Sequence, residues 1–184
     1  MIRFKVRNTL AAVSTVAFLI AAPAASAFDY TYVEGGYGDI DIDGYDDSGF
    51  RLAGSYNFAP QAALIAEYAD WGDLSQMSIG AVYHMALQKN IDFFGGGTFE
   101  RVDYSGDFGD DDDTGFGLRA GLRWQIPNLP VQLIPEVRYL DVADDSLTSF
   151  RVGGLFDLAP HLQLAGALQT GDDDRIELGA RYNF

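Results

Sequence analysis

From Tyr30 to Phe184 the chain runs as apolar and polar residues in alternation, in segments of about ten residues parted by turn formers. A period of two is the mark of a β-strand, whose successive side chains point to opposite faces. The clearest segment places Phe116, Leu118, Ala120, Leu122, Trp124 and Ile126 on one face, with Gly117, Arg119, Gly121, Arg123 and Gln125 on the other. Two kinds of punctuation alternate between segments. One contains Pro or Asn: 57–61 (NFAPQ), 87–90 (LQKN), 126–130 (IPNLP) and 157–161 (DLAPH). The other is acidic: 43–48 (DGYDDS), 70–73 (DWGD), 105–113 (SGDFGDDDD), 141–146 (DVADDS) and 170–174 (TGDDD). This punctuation predicts ten strands, at 30–42, 48–58, 62–70, 75–87, 91–104, 114–126, 131–142, 147–158, 161–170 and 175–184. Eight is the alternative if two segments merge.

Short strands, each with one apolar face and joined in sequence, predict an all-β transmembrane antiparallel up-and-down barrel, with short periplasmic turns and acidic extracellular loops. An arginine facing lipid near the midplane costs roughly 2–4 kcal/mol, so the apolar faces are expected to point outward. Arg51, Glu67, His84, Arg119, Arg123, Glu136, Arg138, Arg151, Asp157, Arg175, Glu177 and Arg181 are then expected to line the lumen. Two readings of that lining stay open, an interior ion-pair network or a charged pore wall. Aromatic girdles are expected at the borders, with Tyr56, Phe58, Tyr83, Trp124, Phe156 and Tyr182 near the short turns, and Tyr68, Trp71, Tyr104, Phe116, Tyr139 and Phe150 near the acidic loops.

Composition adds the route and the charge. Residues 1–27 read as a cleaved signal peptide: Arg3, Lys5 and Arg7, the apolar run 10–22, then Ala25-Ser26-Ala27 before Phe28. A 13-residue apolar run is too short to span a bilayer, which takes roughly 20. Beyond it the chain keeps 9 of its 12 basic residues and all 27 acidic ones, a formal charge of −18. That charge argues against nucleic acid as a partner. With no cysteine, the fold must be closed without disulfides, which pairing of the last strand with the first would do.

The candidate chemistry is sparse. Asp39, Asp41, Asp43 and Gly44 match the start of a calcium loop, but position 12 of that loop is Phe50, where a bidentate Glu is needed. The phase of this stretch poses its own question. Either a bulge at Gly35-Gly36 resets the alternation, or Ile40 and Ile42 turn inward and cap the lumen. Asp110, Asp111, Asp112 and Asp113, Asp144 and Asp145, and Asp172, Asp173 and Asp174 are weak candidates for calcium or magnesium. His84 and His161 fall at the short-turn end, away from the loop aspartates and serines, so no nucleophile–base pair is expected and the protein reads as non-enzymatic. Gly95-Gly96-Gly97 lacks the Lys-Ser/Thr of a phosphate loop, and no cofactor motif is present.

The chain closes on RIELGARYNF, with Ile176, Leu178, Ala180, Tyr182 and Phe184 on one face. This resembles the C-terminal strand of bacterial outer-membrane barrels, and the plan of the whole chain after the leader resembles the OmpA-like/OmpX-like superfamily. The opening YTYVEGGYG (30–38) resembles the first strand of a group of small proteobacterial outer-membrane barrels. The resemblance implies a monomeric outer-membrane protein among lipids that include lipopolysaccharide. It also implies assembly by periplasmic chaperones and the barrel-assembly machinery, with Tyr182 and Phe184 as the assembly signal. Two functions remain: an envelope structural or surface-interaction protein, or a narrow porin-like channel for small solutes or ions that favours cations.

Overall fold

The computed structural model describes residues 28–42, 45–106, 109–142 and 145–184; the expected leader, 1–27, lies outside them. Ten strands form, β1 (Tyr32–Ile42), β2 (Tyr45–Ala59), β3 (Ala62–Trp71), β4 (Leu74–Gln88), β5 (Ile91–Gly106), β6 (Gly109–Gln125), β7 (Val131–Val142), β8 (Asp145–Ala159), β9 (Leu162–Gly171) and β10 (Asp174–Asn183). Each pairs antiparallel with its neighbour in sequence, and β10 closes on β1 from Tyr32↔Asn183 to Asp41↔Asp174. Among the described strands no edge is left unpaired, the condition a sheet must meet to sit in lipid.

Alternation survives along the spans because register shifts are confined to the strand ends. They fall at Asn57/Ala59, Ala86/Gln88 and Asp157/Ala159, each beside a short turn. Apolar side chains therefore cover the outside: Phe50, Leu52, Tyr56 and Phe58 on β2, Phe116, Leu118, Leu122 and Trp124 on β6, and Ile176, Leu178 and Tyr182 on β10 are all exposed. Within the glycine triplet, a Cβ on Gly96 would collide with the backbone of Ala81 and Val82, so glycine there allows β4 and β5 to approach closely.

Three sequence expectations are corrected. The acidic segments are largely not loops: β2, β6 and β8 begin at Tyr45, Gly109 and Asp145, and the ladder runs on through Asp103↔Asp112 and Tyr104↔Asp111. Continued pairing satisfies the backbone while the Asp112 side chain stays exposed. The longest described connection, between β6 and β7, lies instead at the end that holds the termini, with Asn128 at φ 64. Secondly, Trp71 is not in a girdle. It is fully buried in the lumen, because it shares the period-two phase of Glu67 and Ala69 rather than that of Tyr68. Thirdly, Phe28 and Tyr30 precede β1 and are tucked into the barrel rather than starting a strand.

The phase of the first hairpin is also settled. β1 pairs without a bulge on both sides, so Ile40 points inward and is 1 % exposed. It packs with Trp71 and Ala69 and with the partly buried Ile42 and Leu74, forming an apolar cap at the acidic end.

The outward set makes a direct prediction. Leu178→Arg, at a position 63 % exposed on the apolar face, is expected to cost roughly 2–4 kcal/mol in a bilayer. Urea unfolding in lipid vesicles measures it.

Candidate functional site

The inward face holds every glutamate in the sequence, Glu34, Glu67, Glu100, Glu136 and Glu177, together with seven of the eight arginines that follow the leader. Period two places each of them opposite a lipid-facing residue. A narrow barrel then brings side chains from different strands together across the lumen.

Nine of these residues form one lattice. Arg51 on β2 contacts Glu34 at 2.7 Å, Glu67 at 2.6 Å and Glu177 at 3.7 Å, joining β1, β3 and β10. Arg181 pairs with Glu34 at 2.6 Å across the β1–β10 seam. Arg151 donates from both terminal nitrogens to the two carboxylate oxygens of Glu177, at 2.8 and 2.7 Å. Arg138 reaches Glu136 at 2.9 Å and Glu67 at 3.5 Å, and Arg119 reaches Glu136 at 2.7 Å.

Toward the acidic end a second layer lies under the apolar cap. Arg175 binds Asp173 at 2.7 Å and donates to Gln76, and its guanidinium stands 5.8 Å from the Trp71 ring. Glu100 accepts from Gln76, Ser78 and Thr98.

Toward the termini a third layer forms around Arg123. Its guanidinium lies over the rings of Phe28 (5.0 Å) and Tyr30 (4.6 Å) and donates to the carbonyl of Asp29 at 2.6 Å and to the Gln132 side chain. Tyr30 stacks on His84 with centroids 3.8 Å apart, and His84 Nε2 lies 3.1 Å from Asn57 Oδ1. Asp92, fully buried, faces Arg123 in the β5–β6 pairing. Phe28 and Tyr30 also pack on Ala63, Val82 and Phe94 at this mouth.

Two cavities are left between these layers. One of about 100 Å³ lies between the lattice and Tyr30, and one of about 50 Å³ between the lattice and Arg175. Glu67, Arg119 and Arg138 line both, so the ion pairs stand between them.

The remaining sequence candidates lie elsewhere. Asp157 is exposed at the short-turn end, where the shift at Asp157/Ala159 carries the strand out of the lumen, and it accepts from Gln163. Asp172, Asp173 and Asp174 diverge. Asp172 accepts from the Thr148 N–H, Asp173 turns inward to Arg175, and Asp174 accepts from the Gly171 N–H, so three consecutive carboxylates do not converge on one ion. Asp112 meets Arg101 at 3.2 Å, and the side chains of Asp110 and Asp111 lie outside the described residues, as does Asp144. No group of three or more metal-ligating side chains occurs among the described residues. His161 is exposed in the β8–β9 turn and His84 is sealed under Tyr30; both are at the end holding the termini.

Sequence reasoning passes over Glu100, Asp92 and Asp173 as lumen residues and Trp71 as the partner of Ile40 in the cap. For each, the signal is the same period-two count from a neighbour already set inward. Phe28 precedes the alternation and carries no such signal.

No family model and no curated protein matches the sequence. Solved structures match in fold. The NanC porin is similar over 84% of this chain and 100% of its own, with 8% identity and a TM-score of 0.51. The KdgM porin matches over 82% and 99%, with 14% identity and a TM-score of 0.49. The N-terminal β-barrel domain of Pseudomonas aeruginosa OprF matches over 85% and 100%, with 13% identity and a TM-score of 0.49. The fold is that of the small bacterial outer-membrane β-barrels.

Breaking the lattice at its hub should be costly. Arg51→Met removes the charge shared by three buried carboxylates, leaving Glu34 to Arg181, Glu67 to the more distant Arg138 and Glu177 to Arg151. The expected loss is about 3–5 kcal/mol of unfolding free energy, measured by denaturant titration in lipid. Added salt is expected to restore little of it, because buried groups are poorly screened.

Proposed function

We propose that this chain is an integral outer-membrane barrel with a shut lumen, which serves as a non-enzymatic envelope component and carries an aspartate-rich rim for surface interaction. The observation that carries this reading is the triple obstruction of the lumen. The Ile40–Trp71 cap, the Arg–Glu lattice and the Phe28–Tyr30 plug lie in series, and between them remain spaces of only about 100 and 50 Å³. Barrels near eight strands are filled by their own side chains, whereas 16 or more leave a wide channel.

Charge sorting supports the rest. Among the described residues seven arginines and seven carboxylates fill the lumen, so the formal −18 belongs to other positions. At the acidic end Asp39, Asp41, Asp46, Asp112, Asp145 and Asp174 are exposed. Such a rim faces outward beside anionic lipopolysaccharide, with divalent cations screening the two loosely. Among the described residues the ring of His84 is engaged by Tyr30 and by Asn57 rather than by a serine, which favours the non-enzymatic reading.

The rival reading is a narrow channel for small solutes or ions, favouring cations. Planar bilayers decide between them: the reconstituted protein is expected to be silent, and a stable, cation-favouring unit conductance would overturn the shut lumen. Assembly follows the C-terminal strand, whose Tyr182 and Phe184 rings pack edge to face 5.2 Å apart at the exposed end. Deleting Phe184 is expected to lower the heat-modifiable, folded fraction in outer-membrane extracts.

A further inference from the structure

The two lumen cavities differ in charge. The smaller is lined by three carboxylates (Glu67, Glu100, Asp173) and three arginines (Arg119, Arg138, Arg175), which cancel. The larger is lined by the whole nine-residue lattice and by Arg123, six guanidinium groups against four carboxylates. Asp92, the further carboxylate facing Arg123, does not line this cavity and offsets one of the two excess charges. A buried positive charge without a partner is expensive, and the usual remedy is a counter-charge.

Hydrogen-bond donors point the same way. Arg51 Nε, Ser55 Oγ and Arg123 Nε are buried and have no acceptor among the described residues, and all three residues line this cavity. Each has a hydrogen to give. A water could accept these bonds but supplies no charge. The space, about 100 Å³, is several times the about 10–15 Å³ that one water needs.

We propose that the larger cavity binds a small monovalent anion, of chloride or formate size, held by Arg123, Arg51 and Ser55 between the ion-pair lattice and Tyr30. Over the whole lumen the charges balance, with Glu100 beyond the lattice as the remaining carboxylate; the ion meets the local positive excess around this cavity, accepts the three donors, and is built in as the barrel closes.

The test uses the chain from Phe28 to its C-terminus, refolded in detergent in bromide, in chloride, or in gluconate at equal ionic strength, so that entry needs no opening of a closed lumen. Crystals grown in bromide are expected to give an anomalous peak inside the cavity, within hydrogen-bond distance of Arg123 and Ser55. The Tm is expected to rise with halide concentration and to be lowest in gluconate, which is too large for the site. Arg123→Gln and the milder Ser55→Ala are each expected to raise the half-saturating halide concentration about tenfold, the equivalent of one charge-assisted hydrogen bond. No bromide peak in the cavity overturns the proposal, since water alone then meets the donors. A peak or halide dependence that neither variant weakens overturns it equally.

Discussion

The structure turns on the guanidinium of Arg51. From β2 it reaches Glu34 on β1, Glu67 on β3 and Glu177 on β10, so one side chain links the strands on both sides of the closing seam. Glu34 also binds Arg181, its Cα partner in the β1–β10 pairing. The contact that neutralises the lumen thus also pins the register in which the barrel closes. A slip of one residue would turn Glu34 toward lipid and Val33 inward, and each lattice member resists it in the same way. Buried ion pairs are poor evidence of net stability, because desolvation opposes the attraction. Their contribution here is specificity, since few other pairings of ten similar strands would leave seven arginines and seven carboxylates matched.

The same residues determine what the interior does. Ion pairs at 2.6–2.9 Å cross the middle of the lumen and stand between its two cavities. The cap and the plug differ in kind from this middle layer. Ile40 and Trp71 exclude water by apolar packing at the acidic end, and Phe28 and Tyr30 do so at the other by burying aromatic faces against Arg123 and His84. The charged layer thus lies between two apolar layers, which lowers the local dielectric and strengthens each pair within it.

Much of this was legible in the sequence, because one period controls nearly everything. Ten strands, the lipid face and the inward arginines follow from counting by twos and from the cost of a charge in hydrocarbon. Trp71 shows the rule's strength where it was not followed: its aromatic character suggested a girdle, whereas its parity with Glu67 puts it inside. For Ile40 the sequence leaves two phases open, and the inward one requires only that β1 carry no bulge. The acidic segments misled for another reason. Runs such as 110–113 lack β propensity, but the neighbouring strand offers backbone partners that local sequence does not reveal. The plug was not legible, since what holds Phe28 and Tyr30 is Arg123, about ninety positions away in sequence, and nothing in the alternation joins them.

Residue choice within each charge class follows from reach and hydration. The lumen cations are all arginine, and the one lysine after the leader, Lys89, is exposed in a turn. Arginine presents a fork of donors and sheds water more readily than an ammonium, which suits a site where Arg51 must serve three carboxylates and Arg151 grips Glu177 with both nitrogens. The carboxylates divide by length. All five glutamates point inward, where the extra methylene lets a side chain reach past its own strand, as Glu67 does to both Arg51 and Arg138. The acids left outside are aspartates. At the acidic end they bond close to home, as Asp70 does with Tyr68 and Asp141 with Tyr139 two positions away on the same face. A long side chain there would cost rotamer entropy without a partner across the barrel to reward it. The sorting of glutamate from aspartate therefore records the same inside–outside division as the hydrophobic alternation, carried in the polar residues.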